Sequence, residues 1–202
     1  MQISSSDQTN RNDAIQYLLI DLDGTCYDIG NKYEDHVRNN LWKYMNTHHG
    51  VPVERAEEVW RPLFRKYNQS LRGLRAGGFD IEAEEYWDCL RAGAEKYLFP
   101  NAEVRELLKS LPQKEKWLFT NCSEKHAIYA LELLNLKDCF TGVIGADMMG
   151  DTSKAMGMTT LLITGPTALE EGASTPSALS HCDGIVSTLS EPAVRKALPV
   201  LW

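Results

Sequence analysis

Five short apolar or β-branched runs, at residues 17–20, 117–119, 142–144, 159–163 and 184–188, are each flanked by turn-forming or polar residues. Between the second and third, Ala127, Ala130, Leu131 and Leu134 recur at helical spacing behind TNCSEKH, the pattern of a helix that opens just after a strand. Short strands alternating with helices predict a parallel sheet in an α/β fold. Open sheets of this kind bind ligands beyond the carboxyl ends of their strands. The first run, YLLI, stops abruptly at Asp21 and Asp23, so it delivers two carboxylates to that mouth.

Residues 33–99 offer helical patterns and no convincing strand. Val37, Leu41, Tyr44 and Met45 form one apolar stripe, and Tyr86, Leu90, Ala94 and Tyr97 form another. Pro62 is expected to interrupt the helical pattern between them, RAGGF at 75–79 to form a turn, and His48 and His49 to end a helix. The economical interpretation is a helical cap at 33–99, inserted into an α/β core at 16–32 and 100–202, behind a polar, disordered leader at 1–15.

The 202 residues are 43% hydrophobic and 24% charged, enough for one good core and a small insert. A net charge of −7 argues against a nucleic-acid or anionic-membrane surface, since phosphate backbones attract basic faces. A small phosphorylated ligand in a locally positive pocket stays allowed. Cys26, Cys89, Cys122, Cys139 and Cys182 are odd in number and contain no pair with zinc or redox spacing. That usage fits a reducing interior, and the leader lacks an apolar signal core, so a cytoplasmic location is expected, with nuclear or organellar placement left open.

LLIDLDGTCYD resembles the first motif of the haloacid dehalogenase-like phosphatases, a strand followed by Asp-x-Asp-Gly-Thr. WLFTNCSEKHAIYALELLNLKDCF resembles their second motif, and its Thr-Asn ahead of a His-Ala helix, like RKYNQSLRGL at 65–74, is similar to the pyrimidine 5′-nucleotidase subgroup. The resemblance implies a Rossmann-like parallel core with a helical cap, and hydrolysis of a small phosphomonoester, most plausibly a pyrimidine nucleoside monophosphate. It implies Asp21 as the nucleophile and Asp23 as the acid that protonates the leaving oxygen and then deprotonates water. It implies Mg²⁺ held by the Asp21 carboxylate and the Asp23 backbone carbonyl. Thr25 would fix the loop after Gly24, Thr120 and Asn121 would bind the phosphate, and Arg72 would reach the base or ribose from the cap.

One block of the family pattern is absent. Relatives carry a Lys-Pro after the third strand, then a helix, then a strand ending in two acids that complete the metal site. Here GVIGADMMGD passes almost directly into TSKAMGMTTLLITG, so the gap lies between about 149 and 153. The core is expected to lack one strand-helix unit, and the run at 159–163 either pairs with the first strand or leaves its edge open. Weak or absent turnover is the corollary. The alternatives are a non-catalytic variant that keeps a phosphate- or partner-binding shell, or the product of a truncated splice form or gene model. Lys154 as a replacement lysine, and Asp147 or Asp151 as replacement acids, are the candidates for compensation, with Asp183 read as a turn residue. Asp147 follows the third strand, two strand spacings of roughly 4.8 Å from Asp21, too far to share a metal unless the loop folds back. Cys26 and Cys122 read as packed thiols, and His126 as a residue of the helix surface or a support behind the site.

Overall fold

The structure is a computed structural model that describes residues 17–149, 161–163 and 184–186. Strands β1 (Tyr17–Ile20), β2 (Glu115–Phe119) and β3 (Gly142–Ile144) form a parallel sheet in that order. Tyr17 lies opposite Glu115 and Ile20 opposite Leu118, while Trp117 lies opposite Gly142 and Phe119 opposite Ile144. Gly142 is required by its neighbour: a Cβ there would sit 2.4 Å from the Trp117 ring. A second parallel pair joins β4 (Leu161–Ile163) to β5 (Gly184–Val186). Of the two arrangements open to the run at 159–163, β4 is hydrogen-bonded to β5, and among the described residues β1 pairs with β2 alone. The fold is α/β with a parallel sheet.

Between β1 and β2 the chain is helical. Helix α1 (Tyr33–His49) ends where Gly50 turns into the left-handed region at φ 65°, a conformation glycine adopts without penalty. Helix α2 (Val53–Tyr67) runs straight through Pro62, which the sequence reading expected to break it. Pro62 lies on the exposed side, and Ala56, Val59, Trp60 and Leu63 pack into an apolar cluster on the other. That burial, together with the Trp60 indole N–H donated to Ser70 Oγ at 2.9 Å, outweighs a proline cost of about 3 kcal/mol. Helix α3 (Ser70–Ala76) follows, and Gly78 at φ 90° turns the chain toward α4 (Ala83–Arg91). The second apolar stripe is therefore not one helix: α4 stops at Arg91, Gly93 takes φ 83°, and Ala94 belongs to a 3-10 turn. Helix α5 (Ala102–Ser110) opens under the Asn101 side chain, which accepts the Val104 N–H at 3.2 Å.

Helix α6 (Glu124–Leu133) leaves directly after β2, and the short α7 (Ala146–Met149) after β3. Two buried clusters result. One centres on Leu22 and Leu118 with Leu107, Leu108 and Leu131 from the flanking helices, and the other on Met45, Leu74 and Tyr86 of the helical segment. Cys122, in the loop after β2, packs in the second cluster, so this loop touches both halves of the chain. Among the described residues no helix is long and apolar enough to cross a membrane.

The turn after β3 is pressed against the loop after β2. Ala146 donates its N–H to the Cys122 carbonyl at 2.8 Å, and a Cβ on Gly145 would lie 2.7 Å from the Glu124 nitrogen and 3.0 Å from the Cys122 oxygen. Backbone cannot swing aside as a side chain can, so Gly145→Ala should cost about 1–3 kcal/mol of stability, read as a lower urea midpoint. An unchanged midpoint would contradict the close packing of these two loops.

Candidate active site

Because Ile20 pairs with Leu118, the chain leaves β1 and β2 at the same end of the sheet, bringing the Asp21–Thr25 loop beside Thr120 and Asn121. Gly24, at φ 70°, makes the turn after Asp23 possible, and Thr25 and Cys26 donate their N–H groups to the Leu22 carbonyl at 3.2 and 2.9 Å. Asp21 Oδ1 accepts the Leu22 N–H at 3.0 Å, and the Cys26 thiol donates to the Asp21 carbonyl at 3.3 Å. Thr120 is buried, and its Oγ1 accepts the Cys122 N–H at 3.1 Å, an orientation that commits a lone pair and leaves the hydroxyl proton to donate.

Asp23 is held by residues that no local motif announces. Arg91, at the end of α4, donates from both terminal nitrogens to its two carboxylate oxygens, each at 2.8 Å. This is the parallel fork geometry that makes arginine–carboxylate pairs directional. The guanidinium lies 5.7 Å from the Tyr33 ring centroid and 5.9 Å from that of Trp87, and its side chain is only 8% exposed. Burial alone would lower the pKa of Arg91, but the Asp23 carboxylate reverses this and holds it above the usual arginine value.

Tyr27 completes the cluster. Its hydroxyl is 2.7 Å from Asp23 Oδ1 and 2.5 Å from Glu34 Oε1. One hydroxyl carries one proton, so the two carboxylates share Tyr27 as a donor, and Asp23 holds the guanidinium fork as well. Burial, followed by the nearby Asp23 charge, raises the pKa of Glu34, while the bond from Tyr27 opposes the shift. Burial, with Asp23 and Glu34 next in order, also raises Tyr27 well above the usual phenol value, so it keeps its proton.

The thiols beside the motifs are inert. Burial pushes Cys122 up to about 12 and Cys26 higher still, which leaves neither as a thiolate near neutral pH. His126 does more than line a helix surface: its Nδ1 meets Ser123 Oγ at 2.7 Å and its Nε2 meets Asp88 Oδ1 at 2.9 Å. Burial lowers its pKa, and the two contacts tie α6 to α4. Lys125 adds a bond to the same Asp88 at 3.0 Å.

The remaining sequence candidates lie apart from this cluster. Arg72 is exposed on α3, its guanidinium 5.8 Å from the Tyr67 ring centroid. Asp147 is exposed on α7, after a strand that stands two places from β1 in the sheet. Asp151, Lys154 and Asp183, and with them the break in the family pattern, fall outside the described residues. For Mg²⁺, the Asp21 carboxylate and the Asp23 backbone carbonyl are the oxygens in question, and the fork with Arg91 engages only the Asp23 side chain. Among the described residues no group of three or more His, Cys, Asp or Glu is placed to hold a metal. Asp21 and that carbonyl would supply part of a magnesium shell, which water and substrate oxygens ordinarily complete.

No family model matches the sequence. The chain is similar to Phosphate metabolism protein 8 of Saccharomyces cerevisiae, 26% identical over 144 residues, which is 64% of this chain and 43% of that protein. It thus spans less than half the length of that relative. Among solved structures it is similar to a Thermotoga maritima protein assigned as a beta-phosphoglucomutase, with 17% identity and a TM-score of 0.37 over 67% of this chain and 63% of that one. It is similar also to L-2-haloacid dehalogenase of Xanthobacter autotrophicus, with 18% identity and a TM-score of 0.35 over 66% of this chain and 57% of that one.

The raised pKa of Glu34 has a measurable consequence. A carboxyl whose folded pKa is raised contributes stability that is whole below its unfolded value, about 4.3, and is lost as pH rises through the folded value. Thermal unfolding from pH 4 to 8 should therefore show a downward slope above about pH 4.3 that Glu34→Gln, neutral throughout and still able to donate to Tyr27, reduces. Identical slopes in the two proteins would mean that folding does not raise the pKa of Glu34.

Proposed function

We propose that the chain is a haloacid dehalogenase-like phosphomonoester hydrolase, with a core and helical cap divided near residues 33 and 99, acting on a pyrimidine nucleoside monophosphate. The observation that carries this reading is the convergence of Asp21 and Asp23 with Thr120 at one end of adjacent parallel strands. Similarity to a yeast protein named for phosphate metabolism supports the same chemistry.

In this reading an Asp21 oxygen attacks phosphorus, the bond to the leaving oxygen breaks, and Asp23 in its protonated form gives that oxygen its proton. Asp23, now a carboxylate, takes a proton from water as the water oxygen attacks the aspartyl-phosphate, releasing phosphate and restoring Asp21. The fork between Asp23 and Arg91 represents the carboxylate stage of that cycle. Thr120 and Asn121 donate to the phosphoryl oxygens, Thr25 steadies the loop, and Arg72 meets the nucleoside. Mg²⁺, where bound, would neutralise phosphate charge; the described residues supply only part of its shell, so each step above is written for the protein's own groups.

Phosphate release from uridine and cytidine monophosphate, followed with Mg²⁺ present, tests the reading. Asp21→Asn should abolish release because an amide cannot serve as the nucleophile, and Asp23→Asn should slow it about 10²- to 10⁴-fold, the usual span for general acid–base catalysis. Full activity in the Asp21 variant would remove Asp21 from the mechanism, and no release from the unaltered protein would replace the hydrolase reading with the non-catalytic variant that keeps a phosphate-binding shell.

A further inference from the structure

Arg91 is, with Lys116, one of two buried cations among the described residues, and in its pair with Asp23 the carboxylate is the less buried partner. The Arg91 side chain is 8% exposed against 24% for Asp23. The guanidinium is walled by Tyr33 and Trp87, and its Nε is buried without a hydrogen-bond partner. Removing the carboxylate and leaving that cation alone would carry a heavy desolvation cost, so the fork must always hold an anion. Two parallel N–H donors spaced for a carboxylate fit two oxygens of a phosphate equally well. The fork also lies beside the end of the sheet where Thr120 keeps a hydroxyl proton to donate.

We propose that Arg91 is an oxyanion-binding residue whose fork is occupied by Asp23 in the absence of ligand and by a phosphate dianion in its presence. The incoming phosphate takes the two guanidinium bonds, and Asp23, on the more exposed side of the pair, is displaced from the fork. The exchange conserves the buried charge balance: one anion replaces another on a cation that stays in place. It also frees the Asp23 carboxylate at the moment a phosphate is bound. This deepens the phosphatase reading and rests on it for its meaning, though the anion exchange can be measured separately.

The probe is inorganic phosphate, with binding to the full chain followed by calorimetry at neutral pH without metal. The unaltered protein should bind, and Arg91→Met should weaken binding about ten- to a hundredfold, the range for losing hydrogen bonds to a charged group. Arg91→Lys, which keeps the charge but not the fork, should fall between them. Asp23→Asn should tighten binding several-fold by removing the competing anion, and that gain should vanish in the double variant Asp23→Asn with Arg91→Met. Should Arg91→Met fail to fold by circular dichroism, the Asp23→Asn and Arg91→Lys proteins decide the matter. No phosphate binding, unweakened binding in the Arg91 variants, no tightening in Asp23→Asn, or a gain that survives the double substitution would each overturn the proposal. Nucleotide hydrolysis measured in parallel separates the two readings. The expected binding pattern without turnover removes the phosphatase and keeps the oxyanion site, while turnover with phosphate affinity independent of Arg91 does the reverse.

Discussion

The bidentate pair between Arg91 and Asp23 is the interaction on which the rest of the site depends. It joins residues 68 positions apart, one at the end of a helix and one in the loop after the first strand. A guanidinium this buried is tolerable only with an anion in its fork, and Asp23 is held there in turn. Through Tyr27 the same carboxylate communicates with Glu34 on α1, so two of the helices between β1 and β2 are tied to the loop that carries both motif aspartates. The site is thus assembled around a charge pair as well as the sheet.

A second tie runs between α4 and α6. His126 bridges Ser123 to Asp88, and Lys125 meets Asp88 and Glu84. The two ties differ in kind. The Lys125 contacts are solvent-exposed pairs, which contribute little to stability in water. The Arg91 pair is buried and sensitive to the loss of either partner. Helix α4 is therefore held firmly near the carboxylates and more softly along α6.

Glu34 and Tyr27 extend the cluster toward α1. The Tyr27 hydroxyl lies between the Asp23 and Glu34 carboxylates, and burial raises the pKa of both Tyr27 and Glu34, so the phenol keeps its proton and the acid ionises less readily than a free glutamate.

Much of this was written locally in the sequence. An apolar run ending on Asp21, a glycine free to turn at position 24, and a second strand ending on Thr120 ahead of a helix are short-range patterns. They placed the strands β1 and β3 at their observed bounds and put both motif loops at one end of a parallel sheet. Local reasoning failed at Pro62, where burial of Trp60 and Leu63 on the opposite face outweighed a backbone preference, and at α4, where Gly93 divided a continuous apolar stripe. Tyr27, only four residues beyond Asp23, carried a weak signal in its polar tip next to an acidic loop. Arg91 carried none, because a lysine or arginine at the end of an amphipathic helix ordinarily faces solvent. The sequence by itself determined which acids stand at the end of the first strand, since strand, turn and carboxylate are adjacent in the chain. Which cation meets them, and which neighbouring acid has its pKa raised, was decided only by the tertiary structure, because those outcomes depend on burial and distance between segments that the chain brings together only when it folds.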